Sequence, residues 1–314
     1  MASNDKRLRV TELDFDAIKS NLKTFLKAQQ EFKDYDFEGS GINILLDTLA
    51  YNTHYLGFNA NMLANEMFLD SASLRSSVVS HAKTLGYETT SARAAYATLN
   101  VNLSTADNSK TMPAGTAFTT SVDGTNYRFV TIADITSSNT GNEVPFDSIK
   151  VYEGSYITTR YTVNTSNVDQ KFTLSNANSD TSTLIVKVQT SASDTSTTTY
   201  TKATDITQLS SNSTVYYLQE TDSGLYQVYF GDGVISKSIS DGNIVVLQYV
   251  VTNKTLANGA DTFSSPSSID GATSITVTTV ASATGGSEVE TIESIKLQAP
   301  LDYAAQGRCV TVDD

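Results

Sequence analysis

The chain has 314 residues, 39% of them hydrophobic, enough to bury a substantial core in two or three domains and too many for a disordered tail. Its 21 basic against 34 acidic side chains leave a net charge of −13, which argues against nucleic acid and anionic membrane surfaces as partners. A single cysteine, Cys309, excludes an internal disulfide and a multi-cysteine metal cluster; with no apolar leader and no run of about 18 apolar residues, the chain reads as made in a cytoplasm without membrane insertion.

A short charged lead gives way to a patterned helix. Phe15, Ile18, Leu22, Phe25, Gln29 and Phe32 recur at spacings of three and four, a heptad seam with a polar residue at one core position. The seam runs for under three heptads, so spacing alone favours folding back onto the next helix over pairing with another chain. That next helix opens on Gly39-Ser40-Gly41 and carries Leu45, Leu46, Leu49, Leu56, Leu63 and Met67 at helical spacing as far as Leu69. Its asparagines (Asn43, Asn52, Asn59, Asn61, Asn65) are poor helix formers, suited either to side-chain hydrogen bonds with other segments or to a solvated face. A second start signal at Asp70-Ser71, an apolar face of Leu74, Val78, Ala82 and Leu85, and a stop at Gly86 complete a helical hairpin.

After Thr90 serine, threonine and glycine become frequent, and Tyr96, Leu99, Val101 and Leu103 begin a strand pattern. Asp123-Gly124 signals a two-residue hairpin within Val122 to Val130, and residues 133–143 read as a polar connection. Short β-prone runs at 149–152, 156–163, 171–174, 183–188 and 215–218 suggest a sandwich or open barrel. The turns Gly231-Asp232-Gly233 and Asp241-Gly242 separate strands expected at 225–230, 234–239 and 244–251, a β-meander. A strand at 274–280 leads to a last helix through Ile292, Ile295 and Leu297, halted before Pro300. The fold class is therefore α+β. An N-terminal long-helix hairpin or bundle segment (1–91) precedes mainly antiparallel β-domains (92–285), and a short helical connector (286–314) ends the chain. Within the β-region a framing domain (92–143 and 221–285) is expected to hold an inserted module (144–220).

Chemistry is nearly absent. His54 and His81 fall on separate helices, and Cys309 lacks a surrounding nucleophile motif. Gly231-Asp232-Gly233 lacks the Lys-Ser/Thr of a phosphate loop and the alternating oxygen ligands of a calcium loop. Asp14/Asp16 and Asp313/Asp314 lie at a helix start and the chain end, with no aromatic cleft to make a glycosidase pair. No catalytic residue, cofactor or metal is expected. The two readings left are a structural assembly protein and a carbohydrate-binding or adhesion β-module; the absence of tryptophan counts against a sugar platform.

The run NILLDTLAYNTHYLGFNANMLANEMFLDSA from Asn43, followed by LRSSVVSHAKTLGY, resembles the N-terminal region of the baseplate J-like family, the inner-baseplate wedge proteins of contractile-tailed bacteriophages. MPAGT at Met112, YFGDGVISKSISDGNIVVLQYVVTNKTLANGA at Tyr229, GGSEVETIESIKLQAP at Gly285 and GRCVTVDD resemble later motifs of that family in the same order. The resemblance implies a structural wedge subunit of a virion tail baseplate, made and assembled in the host cytoplasm. Its N-terminal helices would bundle with other wedge proteins and with copies of itself. It also implies a dimer within each wedge and a ring of wedges that rearranges when the sheath contracts. On that footing Phe15, Ile18, Leu22, Phe25, Phe32, Leu45, Leu49 and Leu56 form the partner-binding surface, and the helical connector leads towards a further C-terminal part.

Overall fold

A computed structural model describes residues 14–29, 41–167, 169–204 and 208–305. They fall into a helical unit, drawn from the stretch up to Tyr87 and the stretch from Ile292, and a β unit spanning Glu88–Thr291. Phe32, Gly39, Ser40, Cys309, Asp313 and Asp314 lie outside the described residues.

In the helical unit α1 (Phe15–Lys27) starts where the Asp14 carboxylate accepts the Ala17 amide at 3.0 Å. It lies along α2 (Gly41–Glu66), which buries Leu46 and Ala50, and a Lys19–Asp47 ion pair joins the two helices. α2 stops at Glu66, three residues short of the Leu69 expected. The hydroxyl of Ser71, read as a helix start, instead donates to the Asn65 carbonyl at 2.7 Å and caps the end of α2. α3 (Arg75–Thr84) follows, and the side chain that caps it is Glu66: its carboxylate accepts from Ser73 N (2.8 Å), Ser73 Oγ (2.7 Å) and Leu74 N (3.3 Å). His81 Nε2 returns the contact at 2.8 Å from the Glu66 carbonyl, so each helix satisfies the end of the other. α4 (Ile292–Ala305) packs within the helical unit, burying Ile295 and Ala299 against Ala72, Val78, Val79 and Ala82. It also runs through Pro300: the missing N–H removes one intrahelical bond, and five more residues stay helical.

The β unit contains β1 (Tyr96–Ser104), β2 (Ser109–Met112), β3 (Ala117–Val122), β4 (Thr125–Val130), β5 (Ile135–Ser138), β6 (Glu143–Glu153), β7 (Ser155–Thr162), β8 (Phe172–Thr173), β9 (Ser179–Gln189), β10 (Thr197–Lys202), β11 (Val215–Glu220), β12 (Tyr226–Phe230), β13 (Ile244–Val251) and β14 (Ile275–Thr284). A five-stranded sheet has the order β14-β1-β6-β4-β3 and a seven-stranded sheet the order β7-β13-β9-β10-β11-β12-β8, while β2 and β5 pair separately. Among the described residues every ladder is antiparallel except β10–β11. β1 alternates strictly, sending Ala97, Leu99, Val101 and Leu103 into a core with Phe118, Phe129 and Phe146. β13 reads as a nearly continuous apolar run because it is central, flanked by β7 and β9 and buried on both faces.

Asp123 (φ 51°) and Gly124 (φ 79°) form the two-residue turn between β3 and β4, with Val122 opposite Thr125. Elsewhere the strand partners differ from the sequence reading. β6, placed by pattern in the inserted module, belongs to the five-stranded sheet, and β12 and β13, placed in the frame, belong to the seven-stranded one. The expected meander is absent: β12 pairs with β11 and β8, β13 pairs with β7 and β9, and residues 234–239 form a loop instead of a strand. The polar stretch 133–143 contains β5, whose Thr136 hydroxyl meets that of Thr111 on β2 at 2.9 Å.

The chain crosses between the two sheets twice, at Glu153–Ser155 and at Val251–Asn253. The buried Glu153 carboxylate accepts from Thr252 Oγ1 (2.7 Å), Asn253 N (2.9 Å) and Asn253 Nδ2 (2.7 Å), binding one crossing to the other. Gly154 (φ 126°) lies so close that a Cβ there would overlap the Val251 carbonyl. Residues 88–95 belong to this unit rather than to the helices before them. Thr89 Oγ1 donates to buried Glu220 at 2.5 Å, Ala94 N donates to buried Asp180 at 2.8 Å, and Arg93 bridges to Ser287.

Candidate assembly surface

At about 100° per residue the side chains of α2 sort into four directions. One carries Leu46, Ala50 and Asn61, which are buried. A second carries Leu45, Leu49, Leu56 and Leu63, and a third Ile44, Tyr51, Tyr55, Phe58 and Met62; all nine are exposed, Ile44 by 72% and Leu63 by 68%. Between these two apolar stripes runs a narrow polar strip of Thr48, Asn52 and Asn59, and the Thr48 hydroxyl is already satisfied by the Ile44 carbonyl at 2.9 Å.

The stripes carry no charge. Asp47 and Glu66 are the only ionisable acids in α2 and it has no lysine or arginine; Asp47 is paired with Lys19 and Glu66 caps α3. Hydrogen bonds from Ser77, Ser73 and Leu74 outweigh partial burial and hold the Glu66 carboxyl down to about 2. The aromatic stripe is ordered from within, since Tyr51 and Tyr55 meet edge to face at 4.7 Å and the Tyr51 hydroxyl donates to that of Tyr55 at 3.0 Å. That hydrogen bond raises the Tyr51 pKa. A helix of 26 residues, about 39 Å long, thus shows water two uncharged apolar faces, the pattern of a surface made to be covered by protein.

Of the seam residues, Phe15, Ile18 and Leu22 are half-buried on α1 while Phe25 is 63% exposed; half-buried Leu26 follows instead, a 3.6-residue period in place of a strict heptad. Leu45, Leu49 and Leu56 all point outward. The aromatic stripe was legible as well, at spacings of seven, four, three and four, but a count of leucines alone passes over it.

The glycine turns are structural. Gly233 has φ 91°, whereas Gly231 does not have a positive φ and is required for room, since a Cβ would overlap the Ser236 hydroxyl. Asp232 accepts the Val234 amide at 2.9 Å, Asp241 the Thr165 amide at 3.1 Å, and Gly242 (φ 77°) donates to the Val163 carbonyl. Among the described residues no group of His, Cys, Asp and Glu is placed to hold a metal ion, and no helix is long and apolar enough to cross a membrane.

Residues 14–87, the helices that carry both stripes, match the family model of the baseplate wedge protein gp6-like helical domain, and residues 159–260 match the third domain of bacteriophage baseplate wedge protein gp6. The chain belongs to the gp6-like baseplate wedge family. It is 32% identical over 333 aligned positions to baseplate wedge protein gp6 of Enterobacteria phage T4, an alignment covering 96% of this chain and 48% of that protein. The chain therefore spans about half the length of this gp6 relative. A chain of the six-fold symmetrised cryo-EM structure of the anti-feeding prophage baseplate aligns over 98% of this chain and 63% of its own, at 11% identity and a TM-score of 0.37, too low to bear on the fold. The gp6-like helical-domain match ends at Tyr87, where the helical unit also gives way to the β unit.

Proposed function

We propose that this gp6-like chain is a structural subunit of a phage tail baseplate wedge, held in the virion by its helical unit. The observation that carries the reading is the pair of uncharged stripes on α2: own-chain α1 lies along one side of that helix, and two sides remain for helices of other wedge subunits and of a second copy, in a bundle. Such bundles join into the inner baseplate ring and shift against one another when the sheath contracts. The chain takes no catalytic step and holds no cofactor in this role, and assembly takes place in the host cytoplasm.

The test is a pair of double variants in the full chain, Leu49→Asp/Leu56→Asp on the aliphatic stripe and Tyr51→Asp/Tyr55→Asp on the aromatic one, co-expressed with the neighbouring wedge proteins. Each places two charges where a partner would bury them, at a cost of several kcal/mol, enough to abolish a modest interface. Because these side chains are exposed in the single chain, helical circular dichroism is expected to stay intact while co-purification fails. Normal co-purification by both variants refutes the reading.

A further inference from the structure

A cavity of about 240 Å³ lies between the turn after β7 and the loop after β12. Its apolar lining is Val163, Ile239 and the Phe230 ring, which aromatic contacts to Phe172 and Tyr200 fix at centroid distances of 5.7 and 5.2 Å. The rest of the lining is neutral and polar. The Asn164 side-chain nitrogen, the Asn167 carboxamide and the Ser238 hydroxyl all line the cavity, and none of the three has a partner among the described residues. The walls are held by other groups. Gln170 Oε1 accepts Asn164 N at 2.8 Å while its Nε2 donates to the Thr162 carbonyl at 3.1 Å, and the Asp241 carboxylate accepts Thr165 N at 3.1 Å. On the loop after β12, Lys237 N donates to the Ser213 carbonyl at 3.0 Å and Gly233 N to the Ser236 carbonyl at 2.9 Å. Asn164 uses only its Oδ1 in the turn, accepting Ser166 N at 3.0 Å. Unengaged polar groups on a pinned frame are preorganised, so little binding free energy is lost in ordering them.

The lining selects a chemical class. It contains no ionisable side chain and the chain carries a net charge of −13, so an anion entering the cavity would lose hydration, gain no counter-charge and meet repulsion. A wholly apolar guest would leave the three polar groups dehydrated without partners. A neutral ring that carries several hydroxyls and presents C–H groups on one face satisfies both conditions, and a pyranose is such a ring. Carboxamides offer adjacent hydroxyls a donor and an acceptor, and the negative face of an aromatic ring attracts polarised C–H groups. Pockets for drug-sized ligands begin at about 300 Å³, so this cavity suits one sugar unit rather than a chain of them. One ring inside a pocket also removes the need for the broad flat surface that tryptophan gives a sugar platform.

We infer that this cavity is a binding site for a single neutral pyranose unit, with Asn164, Asn167 and Ser238 bonding its hydroxyls and Phe230 packing against its C–H groups. The site lies on the β unit and draws on none of the α2 stripes, so its failure leaves the wedge reading as it stands. The test is saturation-transfer NMR on the full chain with methyl α-glucopyranoside, methyl α-galactopyranoside and methyl β-N-acetylglucosaminide as probes. A ligand of about a dozen heavy atoms is expected to bind at about 1 mM. Asn164→Asp/Asn167→Asp keeps the oxygen that accepts Ser166 N and turns the free amide donors into acceptors. It is expected to weaken binding of the best probe at least about 10-fold while the melting temperature stays within about 2 °C. Ser238→Ala, which removes one hydroxyl, is expected to weaken it about 3-fold or more. Asn126→Asp, the same change on exposed β4 of the other sheet, is expected to bind as wild type does. Cyclohexanol keeps the ring but one hydroxyl only, and is not expected to bind at the same concentration. No saturation transfer from any of the probes at about 10 mM overturns the inference. Unchanged binding in both cavity variants, or equal weakening in Asn126→Asp, overturns the assignment to this cavity. Binding of cyclohexanol or of glucuronate as tight as that of the best glycoside overturns the choice of a neutral saccharide.

Discussion

Replacing Glu153 with alanine removes the acceptor that holds the two crossings between the sheets together. The wild-type carboxylate is fully buried and receives three hydrogen bonds, from the Thr252 hydroxyl and from the backbone and side-chain amides of Asn253. A hydrogen bond to a charged group contributes about 1.5–3 kcal/mol, and a buried donor left unsatisfied costs about 1–3 kcal/mol. Asn253 is exposed and its amides regain hydration, so a total of about 3–5 kcal/mol is expected, not the sum of three full terms. For a cooperative unit of about 200 residues each kcal/mol moves the melting point by about 2–4 °C, giving a drop of about 6–20 °C for the β unit in calorimetry. Glu153→Gln keeps the shape but turns one oxygen into a donor facing other donors, so a smaller loss in the same direction is expected. A melting point within about 2 °C of wild type for Glu153→Ala would refute the clamp.

Acid titration should act on the α2–α3 corner through Glu66. The Glu66 carboxyl sits at about 2 in the folded chain, below its ordinary value near 4.5, so its contribution is complete above about pH 4.5 and is lost as pH falls through 2. Helical circular dichroism should show that loss, and Glu66→Gln should remove the pH step while weakening the helices at neutral pH by about 1 kcal/mol. Two glycines with positive φ should respond differently to alanine. At Gly154 the new Cβ meets the Val251 carbonyl and Val250, and a melting-point loss above about 10 °C is expected. At Gly124 nothing lies within 4 Å, and only the conformational cost of about 1–2 kcal/mol remains. Equal losses at the two positions would remove the steric account of Gly154.

The helices and the first hairpin were determined by the sequence alone, because their signals are local. Apolar residues at a 3.6-residue period specify α2, and two adjacent residues able to take positive φ specify the β3–β4 turn, whatever surrounds them. That Leu45, Leu49 and Leu56 face outward was not legible from spacing, which favoured folding α1 back onto this helix; only the family resemblance named them as partner-binding. Which strand lies beside which was not legible. Alternation in β6 and β12 reports which face is buried, and the continuous apolar run of β13 that both faces are, but apolar faces fit either sheet, and long-range pairing assigned these strands. Residues 234–239 read as a strand between two turn signals, yet tertiary contacts hold them as a loop, through the bonds from Gly233 to Ser236 and from Lys237 to Ser213. The end of α2 was also a tertiary choice. Asp70 and Ser71 are good caps in isolation, but the Glu66 carboxylate and His81 ring, brought together by the fold of the hairpin, satisfied more backbone groups than either could.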